Sequence, residues 1–496
     1  MTSPKFASAE FDCVVRGGHI ATAVDEYDAD IGIQDGVIVA IGRALGRGKQ
    51  EIDARGRLVL PGGIDSHSHI EQMSGAGIMN ADTFESATTS AAFGGTTTVI
   101  SFAAQGKGMS LRKVVDDYMA LAAKGAVVDY AFHMIVADPT ASTIAEDIPT
   151  LVAEGLGSIK LFMTYDALKV DDEKLLDVLL AARQAGALVC VHAENHGMIT
   201  WMGKRLVGNG YRAPKFHAIA HPRSAEAEAI NRLVACAELI DQPVMVFHVS
   251  TAEGAAAVRQ ARGRGVKIFA ETCPQYLFLT AADLDRPGLE GAKWVCSPPP
   301  RAVADQEALW QALALGDLQT ISSDHAPYAF DDTPTGKLRA GRDADFKQIP
   351  NGVPGLEVRM PLLFDAMVSK GRLGLNKFVE LTATAPARIY NLWPAKGSIA
   401  IGADADLVIW DREREITLAD AMVHDLTGYT PYAGRTIKGW PATVIRRGET
   451  IVSDGRLTAT PGSGRFLPRG GGPAATPSGR NSADTDPARN FGAEIL

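Results

Sequence analysis

Ala187-Leu188-Val189-Cys190-Val191-His192 is a run of five apolar residues closed by a polar ring. Upstream, Glu173–Ala185 places apolar residues at helical spacing, and downstream Ala225–Leu239 does the same. A short buried strand between two amphipathic helices is one unit of a parallel sheet. The unit recurs. Thr97–Phe102, Ser158–Met163, Pro243–Val249 and Gln319–Ser322 are further apolar runs, and Leu111–Lys124 and Ala255–Arg264 are further amphipathic stretches. No Gly-rich first turn of an open doubly wound sheet accompanies them. The expected fold is α/β: a (β/α)8 barrel over residues 61–390, long enough to hold insertions in its βα loops.

Outside this middle the texture changes. Ile31–Ile41 is rich in Ile and Val and is split by Asp35-Gly36, a strong hairpin signal. Ala405–Trp410 and Ala442–Val452, the latter broken at Gly448, repeat the pattern near the other end. One β-domain built from residues 1–60 plus 391–460 is the expected arrangement. From residue 461 to 496, Gly, Pro, Ser, Arg and Asp dominate. That stretch has no apolar face to bury and is expected to be disordered or packed on a neighbouring subunit.

Composition narrows the partners. The 496 residues hold 49 Lys plus Arg against 58 Asp plus Glu, a net charge of −9. No basic stripe is present, so no nucleic-acid partner is expected. No stretch approaches the ~18 consecutive apolar residues of a spanning helix, so no membrane partner is expected. Met1 to Asp12 has no apolar signal-peptide core. The five cysteines form no Cys-x-x-Cys pair, which fits reduced thiols in a cytoplasmic protein.

The chemistry sits at strand ends. His67 and His69, in Pro61-Gly62-Gly63-Ile64-Asp65-Ser66-His67-Ser68-His69, are two apart, and on a strand such residues point to one side. His192 and His248 each close a buried run, and Asp324 follows Ile321-Ser322-Ser323. Barrel enzymes place their active sites at these ends. Each histidine alone is equally compatible with a satisfied core residue; the four together point to metal. Imidazole with oxygen donors suits Zn, which is the default, and also Mn, Co or Fe. Asp324 could bind metal and act as general base, or cap a helix. Lys160 lies in Ser158-Ile159-Lys160-Leu161-Phe162-Met163, a charged amine among apolar residues. Burying an unpaired ammonium is expensive. Either it snorkels, or it has added CO2 to become a carbamate, an anion with two oxygens able to bridge two divalent metal ions. Ser250-Thr251-Ala252-Glu253 should cap the helix after His248.

These residues and several longer stretches resemble the dihydropyrimidinase/hydantoinase family of cyclic amidohydrolases. The stretches are Gly94–Thr98, Lys160–Tyr165, Val191–Asn195, Phe247–Ser250, Cys296–Pro299, Ile349–Gly352, Lys396–Ala400 and Asp406–Trp410. The resemblance implies a (β/α)8 TIM barrel with a β-sandwich formed by both termini, and commonly a homotetramer or homodimer. It implies two divalent ions. His67, His69 and Asp324 would hold one, His192 and His248 the other, and Lys160 as N6-carboxylysine would bridge them. Tyr165 would bind the developing oxyanion, while Ser297 and Asn351 would hold the substrate ring. The implied reaction is ring opening of a dihydropyrimidine or 5-substituted hydantoin to an N-carbamoyl amino acid. The alternative is another amide, imide, allantoin-like ring or carbamate. The chain departs from the family at Glu71–Asn80, at Asp166–Lys169 and at His196, all near the place of a ring substituent.

Overall fold

The computed structural model describes residues 10–75, 77–480 and 482–496. Eight parallel strands pair in chain order: Gly63–Asp65, Thr96–Ala104, Asp129–Ile135, Ser158–Phe162, Leu188–His192, Val244–Val246, Ile268–Thr272 and Thr320–Ile321. The ring nearly closes where Ser68 bridges His325 in parallel and His69 N donates to His325 O at 2.7 Å. The five expected runs all fall on barrel strands. Asp129–Ile135 and Ile268–Thr272 were not among them. Asp129 and His133 interrupt one run, and Glu271 and Thr272 shorten the other.

Helices follow the strands on the outside. Leu111–Gly125, Asp172–Ala185, Arg223–Ile240 and Ala252–Gly263 match the expected amphipathic stretches within a few residues. The helix after His248 is capped one residue later than the sequence suggests. Thr251 is the N-cap and accepts from Gly254 N at 3.0 Å. Ser250 is drawn away because its hydroxyl donates to the buried carboxylate of Glu226. Inside the barrel, Ile64, Phe102, Ile135, Cys190, Met245 and Phe247 form the packed interior.

Both chain ends share one mixed sheet of nine strands. Leu58–Pro61 joins them: it runs antiparallel to Leu407–Trp410 and parallel to His19–Ile20. Asp35 (φ 51°) and Gly36 (φ 78°) make the hairpin between Glu26–Gln34 and Val37–Gly42. At the seam between sheet and barrel lies Lys396. Its buried Nζ meets Asp129 at 2.6 Å, Asp406 at 2.8 Å and Asp404 at 2.9 Å.

The C-terminal stretch differs from expectation. It is laid against its own barrel, beside the N-terminal ends of the strands. Leu467 N donates to Tyr130 O, and Arg469 N to Gly155 O, each at 2.8 Å. The buried Arg469 guanidinium donates to Phe132 O at 2.6 Å and Ser158 Oγ at 2.7 Å. Phe466 and Leu467 pack on the barrel and Ala474 and Ala475 are buried, so apolar contact joins the hydrogen bonds to carbonyls of the barrel floor in holding the segment.

Candidate active site

The C-terminal ends of the strands open into one cavity of about 250 Å³. His67, His69, Lys160, Tyr165, His192, His248, Ser297, Asp324 and Asn351 all line it. The barrel gathers them: Lys160 and His192 lie on strands, His67, His69, Tyr165, His248 and Asp324 just past strand ends, and Ser297 and Asn351 on the long excursions that follow the strands Ile268–Thr272 and Thr320–Ile321.

The tightest group is His67, His69 and Asp324, with one ligand atom from each within 4.8 Å of the others. His67 Nε2 lies 3.1 Å and His69 Nε2 3.3 Å from Asp324 Oδ1. Opposite, the His192 and His248 rings meet with centroids 4.4 Å apart. Burial holds His69 and His192 below the ordinary imidazole value and His248 well below it. Neutral rings are the form that ligates a metal. Burial alone would raise Asp324, but its close contacts with His67 and His69 outweigh it and keep the carboxylate ionised.

Lys160 stands between the two groups. Its Nζ is buried and, among the described residues, without a hydrogen-bond partner, 4.1 Å from the centre of the Phe247 ring and 4.8 Å from that of Phe162. Burial pushes this amine down to about 7. Four imidazoles, a carboxylate and an orphaned amine form a donor set that fits a divalent metal centre.

Outer carboxylates fix the rings. His67 Nδ1 donates to the buried Glu271, and His192 Nε2 donates to Glu194 at 2.8 Å. His69 Nδ1 donates to Gln72 Oε1 at 2.7 Å. This is the usual support of a metal-binding histidine. Sequence reading missed Glu271, although an acid inside the run Ile268–Thr272 is the same kind of signal as Lys160. Three further histidines have partners of their own: His196 meets Asp166, His217 donates to Cys296 O, and His221 meets Glu194.

The other wall faces the substrate. Asn351 Nδ2 donates to Ser297 Oγ at 3.1 Å, and the Tyr165 phenol faces the same pair. Burial raises the Tyr165 phenol, so it stays protonated and can donate. Tyr165 (φ 71°), His248 (φ 42°) and Asp324 (φ 47°) all hold left-handed backbone. Such strain, about 1–3 kcal/mol each, collects where placement of a side chain matters. Ser74, Gly75, Ile78 and Asn80 of the loop after Glu71, with Leu168, complete the cavity.

Comparison with known proteins gives the family. Residues 58–451 match the amidohydrolase family, and the chain belongs to it. Within that family it stands with the hydantoinases and dihydropyrimidinases, the cyclic amidohydrolases. It is 43% identical to the D-hydantoinase of Rhizobium radiobacter over 92% of this chain and 99% of that one. A solved D-hydantoinase structure, also 43% identical, superposes with a TM-score of 0.90 over 93% of this chain and 99% of that chain. The dihydropyrimidinase from Brevibacillus agri NCHU1002 superposes at 0.89, with 39% identity over 92% and 99%.

Proposed function

We propose that the protein opens the ring of a dihydropyrimidine or a 5-substituted hydantoin, giving an N-carbamoyl amino acid. The observation that carries this reading is Lys160, a buried amine without a partner, set among four histidines and Asp324. His67, His69 and Asp324 would hold one divalent ion, His192 and His248 another, with Lys160 bridging as N6-carboxylysine. Zinc suits these donors best, and Mn, Co or Fe also fit. When bound, such a pair lowers the pKa of a shared water and polarises a carbonyl oxygen.

The chain's own groups do the rest. Ser297 and Asn351 hold the ring so that one amide carbonyl faces Tyr165. The Tyr165 hydroxyl donates to the oxygen that gains charge as water adds to the carbonyl carbon. Asp324 takes the proton lost by that water and delivers it to the ring nitrogen as the C–N bond breaks. Water is thus divided between the two ends of the opened ring. The relatives' names point to the D enantiomer of 5-substituted hydantoins. The alternative, another amide, imide, allantoin-like ring or carbamate, draws on the departures at Glu71–Asn80 and Asp166–Lys169, from which Gln72, Ser74, Gly75, Ile78, Asn80 and Leu168 line the cavity.

A homotetramer in the cytoplasm completes the proposal. The helix His196–Gly208 supports subunit contact, since Gly203 is its only buried residue and Trp201 is 56% exposed. Among the described residues no helix is long and apolar enough to cross a membrane. The test is turnover by metal-loaded protein on dihydrouracil, hydantoin, both enantiomers of 5-substituted hydantoins, cyclic imides and allantoin. Turnover of dihydrouracil, hydantoin and the D enantiomers of the 5-substituted hydantoins is expected. Silence on all of them with two metals bound would overturn the reading.

A further inference from the structure

Lys337 is a second buried lysine near the cavity, outside the ligand cluster. Its Nζ donates to Val295 O at 3.0 Å and to Pro350 O at 3.1 Å. Among the described residues it has no carboxylate partner, and it adjoins Val295 and Leu338, members of an apolar cluster that also holds Ile349 and Phe330. Burial pushes the amine down to about 7. A lysine used only for packing would be an expensive choice there, because two carbonyls only partly replace its water.

The two carbonyls it grips are informative. Val295 lies two residues before Ser297, and Pro350 immediately precedes Asn351. These segments also touch directly, through Gly352 N to Val295 O at 3.0 Å and Asn351 Nδ2 to Ser297 Oγ at 3.1 Å. Lys337 adds a tie from a third segment, itself fixed by Lys337 N to Ala329 O at 2.9 Å. That segment brings Tyr328 and Arg339 to the cavity wall. One ammonium therefore links the Ser297 segment, the Asn351 segment and the excursion that closes the wall beside them.

We propose that Lys337 is a positioning residue that clamps the Val295–Ser297 and Pro350–Asn351 segments at the spacing that grips the substrate ring. This rests on the reading of Ser297 and Asn351 as ring-holding residues. The clamp acts on binding rather than on the reacting atoms, and misplacement of a binding group by about 1 Å costs up to ~100-fold.

The experiment measures kcat, KM and metal content of metal-loaded Lys337→Met on the cyclic amide that the wild type turns over fastest. KM is expected to rise about tenfold or more while kcat falls less than about threefold and metal content matches the wild type. A merely structural lysine would lower the active fraction, so kcat would fall with KM unchanged; that result would overturn the proposal. Should Lys337→Met not fold, Lys337→Gln keeps N–H donors on a shorter neutral chain and is expected to raise KM by a smaller factor. A wild-type KM in that variant would likewise overturn the clamp. A wild-type enzyme inactive on every cyclic amide would overturn the ring-opening reading, and the clamp with it.

Discussion

Lys160 and Lys396 are both buried, at opposite ends of the same barrel, in opposite surroundings. At the seam with the terminal sheet, Lys396 meets three carboxylates, Asp129, Asp404 and Asp406. Thr97 Oγ1 and Arg447 N add bonds to Asp406, and Arg447 also pairs with Asp129. At the mouth, Lys160 has aromatic rings around it and no hydrogen-bond partner. One end satisfies its charge completely and the other leaves it unsatisfied. A buried charge held for structure is paired, because an unpaired one costs several kcal/mol. A buried amine left alone is held for chemistry done with some further group. Lys337, with two carbonyls and no counter-ion, stands between them.

Lys160→Ala gives the largest effect this contrast predicts. Turnover is expected to vanish and the bound metal pair to be lost, as measured by metal analysis of the purified protein. Two tightly held ions at full rate would break the comparison at its functional end. The same contrast has a pH sign. CO2 adds to the neutral amine, and burial sets the Lys160 amine to about 7. Reloading of metal-stripped protein with bicarbonate and metal is therefore expected to be faster at pH 8 than at pH 6.

Lys396→Met tests the structural end. It leaves the buried Asp406 and the half-buried Asp404 without this cation, while Arg447 still pairs with Asp129; removal of one partner from a buried charged site typically costs about 3–5 kcal/mol. A clear drop in the unfolding midpoint is expected, with kcat per folded molecule within about twofold of the wild type. A fully folded variant without turnover would show that the seam, too, serves the reaction.

The sequence shows one half of this contrast more clearly than the other. Lys160 is legible because it stands alone in an apolar run, and His192 and His248 because each closes one. Lys396 has no such signal: its partners come from the start of the third barrel strand and from the turn before the sheet strand Leu407–Thr417. Pairings of long sequence separation leave no local trace. Glu271 and His67 are 204 residues apart, and Glu226 captures Ser250 from the preceding helix, moving the cap to Thr251. The C-terminal stretch is read as lacking an apolar face, yet Phe466 and Leu467 pack on the barrel and Ala474 and Ala475 are buried. Its docking also depends on backbone carbonyls of the barrel floor, which composition does not reveal.

Glu271→Gln gives the smallest expected effect and sharpens the distinction between holding a metal and supporting a ligand. The amide keeps an oxygen to accept from His67 Nδ1, so the ring keeps its orientation. What is lost is the negative charge that makes the opposite nitrogen a better donor. Loss of such an outer partner costs 10- to 100-fold in metal affinity, and the conservative amide belongs at about the tenfold end. Kcat at saturating metal should stay near the wild-type value, read from titration of metal-stripped protein with activity and metal content measured together. A loss as deep as that of Lys160→Ala would move Glu271 from the support of His67 into the centre itself. The orphaned lysine would then no longer be the one residue on which the metal pair depends.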